Sequence, residues 1–428
     1  MKKRLLPLLI SGLFRGFGAI SQFLLAWWVS SLLTKEASGS FFYYLACYTI
    51  LSPLLLMGTQ YFGMRRISEF EAGEKELICR HAHHAARLSV GAAGIAFFLL
   101  TPSALIAKQM FSHLELSQAL LPLSLAATIG AISNVVASHL HGLKRFGQSI
   151  FYSHICIPTV TILAMSAVQP THSIGVIYCH LFACIVSTCV AVITWSYYFP
   201  FPKTAYVQSN STSAWATSRD LWLIYCCNVS INWFPIIVAG AIVGTADVAD
   251  LNIGQRAANL INFVLVIITF AFAPRLRQSW AKSDLIGLRQ DVSRCTALLI
   301  SVGTVAFVVV CISAEHILSL FGSEYVSGAN LLRVFATAQY FNVITGSVNE
   351  ILLMWGFEKT LLSIFIASAT VCFAGTTALG IILGPMGIAV GASIAIFFHN
   401  ILAVLAVRKH LGFWAFDPRQ PATASSGP

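Results

Sequence analysis

The chain has 428 residues, 57% of them hydrophobic and only 10% charged, with a mean hydropathy of +0.78. A soluble domain carries roughly 25% charged residues, so most of this chain cannot face water and a soluble enzyme is excluded. The formal charge of +10 is spread over short loops rather than gathered in a folded basic patch, which argues against a nucleic-acid partner.

A bilayer core takes about 20 apolar residues per helix, and its lack of hydrogen-bonding partners admits only helices or closed barrels. Barrel strands alternate over runs of about 10 residues, whereas the apolar runs here are long and continuous. The sequence therefore predicts an all-α polytopic membrane protein with twelve spans. They fall at 5–33, 40–64, 86–107, 117–141, 149–169, 173–199, 219–244, 251–273, 293–320, 328–355, 360–383 and 386–407.

The first span follows Met1-Lys2-Lys3-Arg4 and resembles a signal peptide. Its apolar run continues to Leu33, past Arg15 and Trp27-Trp28, without a clean cleavage site, so a retained span is expected. Lysine and arginine then orient the chain, because cytoplasmic loops collect them. With the N-terminus inside, only Lys35 and Lys108 of the 26 basic residues lie in outer loops. Arg15, Arg256 and Arg333 fall within spans, and all the others are cytoplasmic, as are both termini.

Three landmarks recur at nearly one spacing. Arg65 after span 2 matches Arg275 after span 8, Gly142-Leu-Lys-Arg145 matches Gly356-Phe-Glu-Lys359, and Ser173-Ile-Gly175 matches Pro385-Met-Gly387, at offsets of 210, 214 and 212. They suggest two parallel, pseudo-symmetric six-helix lobes. The expected division is an N-terminal lobe over 1–199, a cytoplasmic linker over 200–218, a C-terminal lobe over 219–411 and a flexible tail over 412–428.

Charges inside a bilayer are costly, so Arg15, Arg256 and Arg333 are expected to face a cavity or a partner. Arg256, Asn259 and Asn262 share one helical stripe. Asn342, Thr345 and Asn349 form another, Asn134, Ser138 and His141 a third, and Asn228 and Asn232 stand one turn apart. Such stripes fit a water-filled cavity, although a single asparagine is more often glue between helices. Arg256 and Arg333 lie near outer ends, where snorkelling is the competing account. Glu350 is the clearly intramembrane acid and the candidate ion-coupling carboxylate.

His81, His83 and His84 lack a fourth ligand at metal spacing and read as a polar loop. The eleven cysteines show no CxxC spacing and read as small hydrophobes. Gly12, Gly16, Gly18, Gly387 and Gly391 fit close helix packing, and Pro53, Pro158 and Pro235 fit kinks. No GxxxxGK[ST] segment occurs, so drive must come from an ion, voltage or substrate gradient, and no cofactor is expected.

The 6 + 6 pattern, Leu320-Phe-Gly322 ahead of span 10, Gly356-x-x-Lys359 and Gly387-Ile-Ala-Val-Gly391-Ala-Ser393 resemble the polysaccharide-exporter branch of the multidrug/oligosaccharidyl-lipid/polysaccharide (MOP) superfamily. The resemblance implies an O-antigen or repeat-unit flippase of the bacterial inner membrane. Its cargo would be a polyprenyl-pyrophosphate-linked glycan, and its partners membrane lipids and polysaccharide assembly proteins. It also implies a cationic cavity with arginines on the first and eighth helices, where Arg15 and Arg256 sit. Arg15, Arg256, Arg333, Asn259 and Asn342 are then the expected substrate residues, since guanidinium forks suit phosphate. The alternative is a cation-coupled multidrug exporter of the same superfamily, which needs cavity carboxylates that the first-lobe spans lack. A membrane-embedded glycosyltransferase ranks third, for want of large loops.

Overall fold

Helix formation follows the apolar runs closely. The computed structural model describes residues 2–70, 74–110, 116–203, 212–281, 285–412 and 414, and among them no strand occurs. The protein is an all-α polytopic membrane protein. Span 1 is α1 (Lys2–Leu32), and span 2 is the pair α2 (Lys35–Leu54) and α3 (Thr59–Glu69). Spans 3 and 4 are α4 (Lys75–Met110) and α5 (Leu116–Gly142). Span 5 is α6 (Phe146–Ile150), a π-helical turn (Phe151–Ile155) and α7 (Cys156–Val168), and span 6 is α8 (Ser173–Tyr198). Spans 7 and 8 are α9 (Thr212–Ile242) and α10 (Thr245–Ala281). Span 9 is α11 (Leu285–Ile312) followed by α12 (Ala314–Ser319), and span 10 is α13 (Ala329–Thr345) followed by α14 (Val348–Met354). Spans 11 and 12 are the two halves of α15 (Glu358–Leu411), which breaks at Gly384.

Among the described residues seven helices are individually long and apolar enough to cross a membrane, and the pair α2–α3, bent by 53°, makes an eighth. One of the seven is α15, whose 54 residues hold two crossings. The break is local chemistry. Pro385 has no N–H to donate and disfavours helical backbone in the residue before it, and Gly384 takes φ 61°, ψ −141°.

Proline acts differently at the other expected kinks. Pro53 sits one residue before the end of α2, where the 53° bend follows. Pro158 follows the π-helical turn, which loosens the helix where its ring would meet the carbonyl of His154. Pro235 lies within α9, which continues through it.

The chain folds as two compact units, Met1–Asn252 and Ile253–Pro428. In the first, α5 packs on α8, α4, α3 and α2, and α9 packs on α2 and α3. In the second, α13 packs on α15 and α11, and α14 on α15. The tail expected to be flexible and most of the 200–218 linker lie outside the described residues.

Glycines set the closest approaches. A β-carbon at Gly18 would come within 2.9 Å of the His154 Cβ, and one at Gly391 within 2.5 Å of the Gly375 carbonyl carbon. Gly16 meets open space instead.

Candidate functional site

The first unit carries a face of aromatic rings and side-chain amides on α3 and α9. Tyr61 on α3 and Tyr225 on α9 meet edge to face, with ring centroids 6.2 Å apart, and Tyr225 is 41% exposed. One turn further along α9, Asn228 is exposed, and Asn232 donates to its carbonyl at 2.8 Å and to its Oδ1 at 3.3 Å. An amide facing lipid would lose its hydration with little compensation, so this face borders water. Beside it Trp222 donates to the Pro53 carbonyl at 2.9 Å, and Asn134 donates to Ser52 Oγ at 3.1 Å. The latter is helix glue, as expected of a single asparagine.

A buried polar centre in the same unit escaped sequence reasoning. The Tyr44 hydroxyl and His180 Nδ1 lie 3.1 Å apart, and the Tyr48 ring crosses the imidazole at 4.7 Å. His180 is a lone histidine in an apolar helix. Its only sequence signal was the Tyr44/Tyr48 pair at i,i+4 on α2, which becomes meaningful only once α2 is known to lie on α8.

Two acidic side chains of this unit are held by cations. Asp220 pairs with Arg219 at 3.0 Å, and Asp250 with Lys35 at 2.8 Å. The Tyr61–Tyr225 face thus draws on rings and amides, not on these carboxylates.

The sequence-predicted arginines part company. Arg15 is exposed on α1 and lies close enough to His154 to act on it electrostatically. Arg256 is partly buried on α10, flanked by buried Gln255 and Ala257. Arg333 forms an outer-end cluster, where it meets Glu315 at 3.3 Å, Asn330 Oδ1 at 2.9 Å and the Cys311 carbonyl at 3.3 Å. Such contacts fit an arginine reaching toward the end of its span.

The second unit gathers polar groups where span 10 breaks. Asn342 donates to Asn262 Oδ1 at 3.3 Å, and Thr345 Oγ1 to Asn400 Oδ1 at 2.9 Å. His399 bridges Asn349 Oδ1 at 3.2 Å and Ser368 Oγ at 3.3 Å, and Thr269 meets Ser347 at 2.8 Å. Asn259 is partly buried on α10. Glu350 is exposed at the start of α14 and near enough to Cys295 to act on it. The break frees backbone groups that these side chains re-satisfy, as membrane helices require.

At the cytoplasmic end the histidines of α4 are structural. His83 donates to the Phe199 carbonyl at 3.0 Å, and His81 stacks on Phe70 at 5.0 Å. Burial, then Arg66, holds the His81 imidazole below its ordinary 6.5 despite Glu69, and burial with Arg87 does the same for His84. A histidine held neutral in the fold gains its proton first in the unfolded chain. Stability is therefore full above about pH 6.5 and falls as pH drops below it. The thermal midpoint in detergent should fall between pH 7.5 and 5.5, and by less in His81→Gln; an equal fall in both would discount His81.

With this geometry in place, the chain can be set beside known proteins. Solved transporter structures are similar to it over nearly its whole length. An inward-facing multidrug resistance MATE family transporter of the MOP superfamily superposes with a TM-score of 0.70 at 16% identity, covering 92% of this chain and 94% of that one. The fold is that of the MATE transporters. The outward-facing form of such a transporter superposes at 0.64 and 16% identity, covering 95% of each chain. A MOP superfamily transporter from Pyrococcus furiosus, described as having a binding pocket of reversed polarity, gives 0.64 at 17% identity with 95% of each chain covered. The MatE family profile matches residues 221–371, from α9 into α15, and no curated protein matches the chain.

The matched profile is MatE and the solved structures of this fold are MATE transporters of the MOP superfamily, so the polysaccharide-exporter branch implied by the sequence resemblance finds no support here. The motifs behind that expectation were glycines and basic loop residues. Close helix packing and the positive-inside bias select such residues in any membrane bundle, so they do not discriminate between branches.

Proposed function

We propose that this chain is a secondary-active exporter of small amphipathic molecules, residing in the cytoplasmic membrane and working by alternating access. The observation that carries this reading is the partly exposed Tyr61–Tyr225 and Asn228–Asn232 face, whose neighbouring carboxylates Asp220 and Asp250 are held by cations. Rings stack on flat apolar cargo or hold a delocalised cation by its charge, and the amides hydrogen-bond its polar edge. That answers the objection that the first lobe lacks acids, because a cation can be bound by aromatic faces alone. Support for export of small molecules also comes from the MatE match and the multidrug transporters of the same fold.

Lipid-linked oligosaccharide is the competing cargo, favoured by one observation: Arg15 is exposed within the first span. Its case weakens elsewhere, since Arg333 is engaged at the outer end by Glu315 and Asn330.

The test is a proteoliposome assay offering a fluorescent aromatic dye and, separately, a tagged polyprenyl-pyrophosphate oligosaccharide. Dye movement that falls about tenfold in Tyr225→Ala, the equivalent of about 1.4 kcal/mol, is the expected result. Movement of the glycan alone, lost in Arg15→Ala, would overturn the proposal in favour of the flippase.

A further inference from the structure

The outer end of the first unit carries an ion pair in an unusual place. Thr34 caps α2, its Oγ1 accepting from Ala37 N at 3.4 Å, and Lys35 is the first helical residue. A cation at a helix N-terminus opposes the dipole, so Lys35 needs a compensating anion. Asp250 supplies it at 2.8 Å from the second turn of α10, with side chains only 14% and 11% exposed. Glu36, beside Lys35 in the first turn of α2, is exposed instead.

Beneath the pair runs a seam of backbone. One turn down α2, a β-carbon at Gly39 would overlap the Thr245 carbonyl and approach Ala249 N at 3.3 Å. One turn further, the Tyr43 ring covers Gly240 of α9 so closely that no side chain fits there. A seam built on glycine is held by short-range contact, which fades within an ångström of separation. At its outer rim stands the Lys35–Asp250 pair.

We propose that Lys35 and Asp250 form the outer latch of the transport cycle, sealing α2 against the start of α10 while cargo is taken up from the cytoplasm and parting for release outside. This rests on the alternating-access reading. Either residue alone leaves a poorly solvated charge when its partner is removed, so single reversals should open the seam and an exchange of the two charges should close it again.

The experiment follows that logic in the full-length protein, in right-side-out vesicles. Tyr43→Cys places a thiol in the seam, and its reaction with a membrane-impermeant maleimide is read against the same variants without it. Slow labelling with the native pair, at least about tenfold faster labelling with Lys35→Asp or Asp250→Lys, and slow labelling again in the double exchange would support the latch. Unchanged labelling in the single reversals, or no restoration in the exchange, would overturn it. A second arm uses Lys35→Cys with Asp250→Cys, whose oxidation should stop transport and whose reduction should restore it; transport indifferent to oxidation would count against the latch even if labelling agreed. Labelling needs no cargo, so its failure rejects the latch and leaves the export reading to its own assay.

Discussion

Gly391→Val is expected to cost at least about 3 kcal/mol and to remove most folded protein from detergent extracts. The two halves of α15 run back against each other through Gly375 and Gly391, backbone on backbone. A β-carbon at 391 would stand 2.5 Å from the Gly375 carbonyl carbon and 2.6 Å from both its oxygen and Thr376 N. Those are main-chain atoms, so no rotamer change relieves the overlap, and a valine must pry the helices apart. Overpacking typically costs 1–3 kcal/mol where side chains can yield, and here they cannot. The check is the monodisperse fraction by size exclusion after stepwise heating, read as an apparent midpoint because such unfolding is seldom reversible. Gly16→Ala is the control. It meets nothing within 4 Å and should hold or gain up to about 1 kcal/mol from helix propensity. Wild-type behaviour of Gly391→Val would mean that the two halves do not pack through these glycines.

Gly346→Ala is expected to lower both stability and transport, by about 1–3 kcal/mol in the first. Gly346 closes α13 at φ 78°, ψ −159°, a backbone region open essentially to glycine alone. A β-carbon would also sit 3.2 Å from Thr296 Oγ1. Thr345, Ser347 and Asn349 flank this turn and hold Asn400, Thr269 and His399, so a shift of the turn disturbs three interhelical hydrogen bonds together. Gly356 has a similar φ of 77° but open space around it, so Gly356→Ala should cost only the backbone strain and spare transport. Thermal midpoints and dye flux measured on both variants separate strain from network. Equal losses in the two would reduce Gly346 to an ordinary turn glycine.

Much of the membrane architecture was legible because the bilayer makes simple demands. Long apolar runs must be helices, and each of the twelve expected spans falls on a helix, on consecutive helical pieces or on one half of α15. The gap expected between spans 11 and 12 falls where α15 breaks at Gly384, beside Pro385, because a proline acts on its own neighbours. Arg333 shows where that reasoning stops. A span boundary cannot say which groups an arginine five residues inside it will meet, and its partner Glu315 lies 18 positions away.

The sequence by itself determined that this is a helical membrane protein and where its long apolar helices lie, because those properties follow from hydropathy along a single segment. Only the tertiary structure decided which polar residues meet. Lys35 with Asp250, Tyr44 with His180 and Tyr61 with Tyr225 lie far apart in the chain. Helical periodicity assigns each residue a face but not the neighbour that face will touch. That neighbour is chosen by the packing of α2 and α3 on α8, α9 and the start of α10, where glycines at 39 and 240 let backbones approach until those side chains come within reach.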